Sequence, residues 1–239
     1  LHRLVLRRST AEATIGALAS GYVNAANLGI PVAVLVLGDA ATIAPILLLQ
    51  LLVLTPVTFT VLDAVTRRGN PSRLATLTVP LRNPLLWGVV AGTAANLSGL
   101  DLTAWCGGYP AQGLEMLGRV AVPLMMLALG MSLAGAPRPL RSPEPDASVR
   151  GAGRRSGLWL AVGWKLAVMP GLAVVVGLAT GLSGAQLLTP VVTATLPTAQ
   201  NVFMYASRYG VGKDLARDAV LLTTAGFVPV VLLAAAILR

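Results

Sequence analysis

The sequence is poor in charge. Asp, Glu, Lys and Arg make up 11% of its 239 residues, where soluble domains carry roughly 25%. With 55% hydrophobic residues and a mean hydropathy of +0.76, a bilayer rather than water is its expected solvent. A single cysteine, Cys106, excludes an internal disulfide and a cysteine metal cluster. The single histidine, His2, sits at the chain start, so most acid–base and metal chemistry lacks its usual side chain. No H-E-x-x-H, G-x-S-x-G, P-loop or intramembrane aspartate pair occurs. Catalysis is not expected, nor a metal or other cofactor. The opening L-H-R-L-V-L-R-R lacks the continuous apolar core and small-residue cleavage site of a signal peptide. It reads as the basic exit of an earlier span. Period-two alternation is missing, so the pattern is not that of a membrane β-barrel.

What the sequence does hold is long apolar runs. A hydrocarbon core of about 30 Å needs about 20 helical residues, and seven stretches qualify: 14–37, 41–63, 83–100, 114–135, 157–180, 185–207 and 217–238. An all-α, multi-pass membrane protein follows. Cation placement supports the count, because 15 of the 18 Lys and Arg residues fall before the first run, in alternate connections or, for Arg217, on the first residue of the last run. The connections near 38–40, 99–113 and 181–184 carry none. Cations favour the cytoplasmic side, which puts residue 1 inside and Arg239 outside a cell (plasma or inner) membrane. The net charge of +9 is therefore an orientation signal, and no nucleic-acid partner is expected.

The segment 136–156, with four prolines and little to bury, reads as a disordered cytoplasmic linker. Glu115 and Arg119 are spaced as an i,i+4 helix pair. Gly88–Gly92 and Gly177–Gly181 fit close helix packing within one chain. Lys165 lies about eight residues into its run, within snorkelling reach of the cytoplasmic face. Its functional alternative is a cation that draws an anionic substrate inward.

Two runs are interrupted. G-Y-V-N-A-A-N-L-G-I-P (21–31) and T-L-P-T-A-Q-N (195–201) place glycine, asparagine and proline where an apolar crossing would not choose them. A backbone break in hydrocarbon survives only where it faces protein or a wet cavity. Two such spans in matching places point to a transporter's binding site. The likeness extends further: Gly38 precedes Pro56 by 18 residues, and Gly210 precedes Pro229 by 19. The interrupted spans are first and sixth, and an odd offset implies an inverted repeat of five-span units. Residues 1–64 would then be the last two spans of a first repeat and 65–135 the first two of a second. The linker 136–156 and three remaining spans, 157–239, complete that division. Three further spans are expected before Leu1, which makes the chain an N-terminally truncated fragment on this reading.

At these residues the sequence resembles the auxin efflux carrier family of membrane transporters, of the bacterial, malate permease-like type. Asn24, Gly29, Ile30 and Pro31 match the pattern G-N-x-G-x-x-G-I-P. Leu196, Pro197, Ala199, Asn201, Ala206, Tyr209 and Gly210 match L-P-x-A-x-N-x-x-x-x-A-x-x-Y-G. R-N-P-L-L (82–86), Lys165 and Pro170 are also similar. Asn27 departs from the family, where an apolar or aromatic residue is usual. The resemblance implies ten spans in two inverted five-helix repeats, with two broken helices crossing at the substrate site. It implies alternating-access transport of small organic anions such as malate- or auxin-like carboxylates. The substrate-binding residues implied are Asn24, Asn27, Pro31, Lys165, Pro197, Gln200 and Asn201. Partners would be that small organic acid and the lipid bilayer, and a homodimer is left open. The competing classes are a non-transporting membrane scaffold, an inactive truncated carrier and a channel. A channel would require a continuous polar stripe, which no span has.

Overall fold

The computed structural model describes residues 8–66, 84–99, 101, 104, 106–133 and 148–238. Among them, helices occupy all seven apolar windows: α1 Thr10–Gly21 and α2 Ala25–Leu37 in the first, α3 Ala41–Thr66, α4 Pro84–Leu97 and α5 Tyr109–Leu133. The fifth window holds α6 Ser148–Gly163 and α7 Met169–Ala179, joined by a wide π turn at Trp164–Val168. Then come α8 Ala185–Thr195, α9 Gln200–Tyr209 and α10 Lys213–Leu238. Ala41–Thr66, Ser156–Ala179 and Lys213–Leu238 are long and apolar enough to cross a membrane.

The chain forms two compact units, Leu1–Gln50 with Ala136–Arg239, and Leu51–Gly135, with the boundary inside α3. In the first, α1 packs on α6, α9 and α10, while α8 packs on α7 and α10. Its core gathers Val23, Ala33, Ile43, Val192, Leu196 and Phe227. Gly177 permits the closest approach, because a Cβ there would collide with the Leu187 side chain. Facing away from this core, Leu172, Val175 and Val176 on α7, and Val228, Leu232 and Leu233 on α10, are exposed. Their spacing of three to four residues makes an apolar stripe on each helix, suited to lipid. In the second unit Arg119 Nε donates to Glu115 Oε1 at 3.1 Å, the i,i+4 pair the spacing predicts. Among the described residues, no atom lies within 4 Å of where a Cβ on Gly88 or Gly92 would stand.

Two helix starts differ from the sequence expectation. α1 begins at Thr10 because Ser9 Oγ accepts from the Glu12 N–H at 3.2 Å while Glu12 Oε2 accepts from the Ser9 N–H at 3.3 Å. Such a capping box fixes an end that hydropathy alone does not register. α6 begins at Ser148, inside the segment expected as disordered linker. The four prolines end at Pro145, and from Ser148 every residue has an N–H to give a helix. Residues 134–147, and the cations at 3, 7, 67–82 and 138–141, lie outside the described residues.

Candidate functional site

Helical geometry stops at Tyr22–Asn24, between α1 and α2, and at Leu196–Ala199, between α8 and α9. At the second stop Pro197 supplies no N–H and holds Leu196 extended (φ −54°, ψ 139°). The two extended segments lie antiparallel, with Val23 opposite Thr198. The Asn24 N–H donates to the Pro197 carbonyl at 2.8 Å, and the Ala199 N–H donates to the Tyr22 carbonyl at 3.0 Å. Each segment thus partners backbone groups that the other freed by leaving its helix.

Side chains partner the remaining backbone groups. The Val23 N–H donates to Gln50 Oε1 at 2.7 Å, and Gln50 Nε2 donates to the Val23 carbonyl at 3.1 Å. The Thr198 N–H donates to Thr223 Oγ1 at 3.0 Å, and Thr198 Oγ1 donates to the Ala19 carbonyl at 2.6 Å. Gln50, Thr198 and Thr223 are all buried. Tyr22 and Tyr205 meet edge to face beside the pair, with ring centroids 6.3 Å apart.

Asn24 caps the wide first turn of α2. Its Oδ1 accepts from the Asn27 N–H at 3.3 Å, and its carbonyl accepts from the Gly29 N–H at 2.9 Å. Gly29 keeps this approach open, since a Cβ would stand 3.0 Å from Leu196 Cδ1 and the leucine would have to shift. Across the break, Asn27 Nδ2 donates to Gln200 Oε1 at 3.4 Å. Asn201 is half-buried in the first turn of α9, and among the described residues no hydrogen bond joins it to Asn24. Pro31 is exposed within α2, seven residues beyond Asn24, and does not lie in the unwound segment. The structure therefore pairs Asn24 with Pro197 and Asn27 with Gln200, and leaves Pro31 apart.

A family profile described as "Membrane transport protein" matches residues 73–235, which include the second unwound segment. The chain belongs to the auxin efflux carrier family of membrane transporters. It is also 31% identical over 234 residues to a protein of Rhizobium meliloti (strain 1021) provisionally named a malonate transporter. That match covers 92% of this chain and 66% of the relative, so the chain spans just under two thirds of the relative's length. The profile and the relative are both membrane transport proteins, and the apolar helices fit a multi-pass membrane protein.

In this family member Lys165 is turned inward instead of snorkelling. Its side chain is fully buried, and Nζ lies 3.4 Å from Met169 Sδ, one turn farther along the chain. The wide turn Trp164–Val168, which precedes Pro170, sets residue 165 against protein, packing on α1, α8 and α10. Gln50, Thr198 and Thr223 escaped the sequence reading. A signal existed for Gln50, a lone amide in an apolar run, because polar groups at membrane depth rarely lack a partner. None existed for Thr223, whose hydroxyl can bond its own helix, as it also does to the Ala219 carbonyl at 2.7 Å.

Proposed function

We propose that this transporter carries small organic anions by alternating access around the paired segments, with dicarboxylates of the malonate type as the first substrates to test. The observation that carries the reading is the antiparallel pairing of Val23 with Thr198 between two interrupted helices in otherwise apolar sequence. Helices α2 and α9 both begin at this pairing. A helix N-terminus presents about half a positive charge and free N–H groups, which suits a carboxylate without a full cation. The amides of Asn27 and Gln200 straddle the break and add neutral hydrogen bonding, which allows release as well as capture. Asn27, polar where the family is usually apolar, favours a substrate with a second polar end.

Support for an inverted repeat comes from the residues after each break. Gly38 and Gly210 both take left-handed backbone (φ 79° and 67°) at the ends of α2 and α9. On this reading the chain crosses the membrane seven times, with its first residue in the cytoplasm. With the native Cys106 replaced by serine, because its connection is external on this reading, cysteines placed at Asp39 and Ala185 should then react with an impermeant maleimide on intact cells. One at Arg150 should react only after permeabilisation, and its labelling in intact cells would refute the orientation.

The site is tested by Asn24→Ala and Asn201→Ala in the full-length transporter reconstituted in liposomes. Loss of a buried hydrogen-bonding group such as Asn24 costs about 1–3 kcal/mol, so Asn24→Ala should weaken binding of malonate about five- to a hundredfold, and half-buried Asn201→Ala should weaken it less. Asn27→Phe should shift preference from dicarboxylates toward aromatic monocarboxylates. Wild-type binding and uptake in both alanine variants would reduce these asparagines to helix caps and remove the site from the crossing.

A further inference from the structure

We infer that Gln50 on α3 and Thr223 on α10, the helices that follow the two interrupted spans, are equivalent positioning residues that brace the paired segments into a rigid unit and so keep the substrate site preformed. The inference rests on the crossing being that site. Three observations carry it. First, the two side chains serve the two residues that face each other: Gln50 takes both the N–H and the carbonyl of Val23, at 2.7 and 3.1 Å, and Thr223 takes the N–H of Thr198 at 3.0 Å. Second, they occupy matching positions, since Gln50 stands six residues before Pro56 and Thr223 six before Pro229. Third, both are buried, and Gln50 opens a wide π turn, Gln50–Leu54, in an otherwise α-helical run. Wide turns of this kind re-aim a side chain and concentrate at functional sites.

The chemistry of each brace follows from its donors and acceptors. An amide is neutral and carries one acceptor and one donor group, so Gln50 matches a peptide unit edge to edge without placing a charge in the membrane. The Thr223 hydroxyl commits its proton to its own helix, through the Ala219 carbonyl at 2.7 Å. Its lone pair is thereby fixed toward the Thr198 N–H. Without a brace the segments spend more time apart. The apparent affinity of a site that is only partly populated in its competent form falls by that fraction.

The experiment measures malonate uptake by the full-length transporter in liposomes, with hydrogen exchange of the peptides covering 19–25 and 195–200. Gln50→Leu and Thr223→Val should each raise KM about tenfold with little change in maximal rate, because saturating substrate re-forms the site. Exchange in both peptides should quicken, and Thr223→Ser should restore both measures. Gln50→Glu supplies a test that does not depend on recovering the leucine variant. As a carboxylate it can accept from the Val23 N–H but has no proton for the Val23 carbonyl. Its KM relative to wild type should therefore fall as pH is lowered and the carboxyl gains a proton. Wild-type KM and unchanged exchange in Gln50→Leu and Thr223→Val, or a Gln50→Glu ratio flat with pH, would overturn the brace. That result alongside impaired Asn24→Ala would leave the site standing. Wild-type Asn24→Ala and Asn201→Ala with quickened exchange in the Gln50 variant would instead retain the brace and reject the site.

Discussion

Pro197→Ala should cut transport about fivefold while the protein still inserts in the membrane. Alanine is favoured over proline in a helix interior by about 3 kcal/mol, and each 1.4 kcal/mol is about a factor of ten. The new N–H can join the α8 ladder, and continuing that helix would draw residues 196–199 away from Tyr22–Asn24. The two backbone hydrogen bonds thereby lost, Asn24 to Pro197 and Ala199 to Tyr22, are worth about 0.5–1.5 kcal/mol each. At the middle of that range the continuous helix competes with the paired form, and any loosening of the bracing side chains tips it further. Pro31→Ala is the matched control. Pro31 is exposed and already inside helix α2, so its replacement should leave uptake near wild type. Uptake is measured in liposomes, with inserted protein followed by size-exclusion profile. Full activity in Pro197→Ala would show that the unwound segment is not held open by its proline.

Lys165→Met should make the transporter more stable and less able to bind an anion. The ammonium is fully buried, and its partner among the described residues is the Met169 sulfur, a weak acceptor. A buried amine with so weak a partner costs about 1–3 kcal/mol, which an apolar side chain of similar volume would remove. At this chain length each kcal/mol moves Tm by about 2–4 °C. A hydrogen bond to a charged group contributes about 1.5–3 kcal/mol, so loss of the cation should weaken anion binding about tenfold or more. Tm of the purified protein and the KM for malonate check the two halves separately. A lower Tm with unchanged KM would make Lys165 a packing residue with no part in anion capture.

The breaks themselves were legible in the sequence because glycine, asparagine and proline act on the backbone locally. Asn24, Pro197 and Asn201 could be named from such rules. Their partners could not. Pro31, although it disrupts a helix in isolation, is absorbed by the wide turns Ala25–Gly29 and Ala33–Leu37 on either side of it. For Lys165 the sequence leaves snorkelling and anion attraction both open, since depth is visible in a sequence and the direction of a side chain is not. The start of α1 was legible in Ser9 and Glu12, but hydropathy obscured it.

What the sequence determined by itself was the solvent and the local interruptions. Low charge and long apolar runs require a bilayer, and each helix formed there satisfies its own backbone without reference to the rest of the chain. The resemblance to the transporter family was likewise carried by local motifs. Only the tertiary structure decided which broken end meets which: Val23 with Thr198, Asn27 with Gln200, and Gln50 with the freed peptide groups of Val23. The reason is physical. Asn27 and Gln200 are 173 residues apart, and no local propensity acts over that distance. The pairing depends on the helices α1, α8, α9 and α10 packing so that donors freed in one segment find acceptors in another.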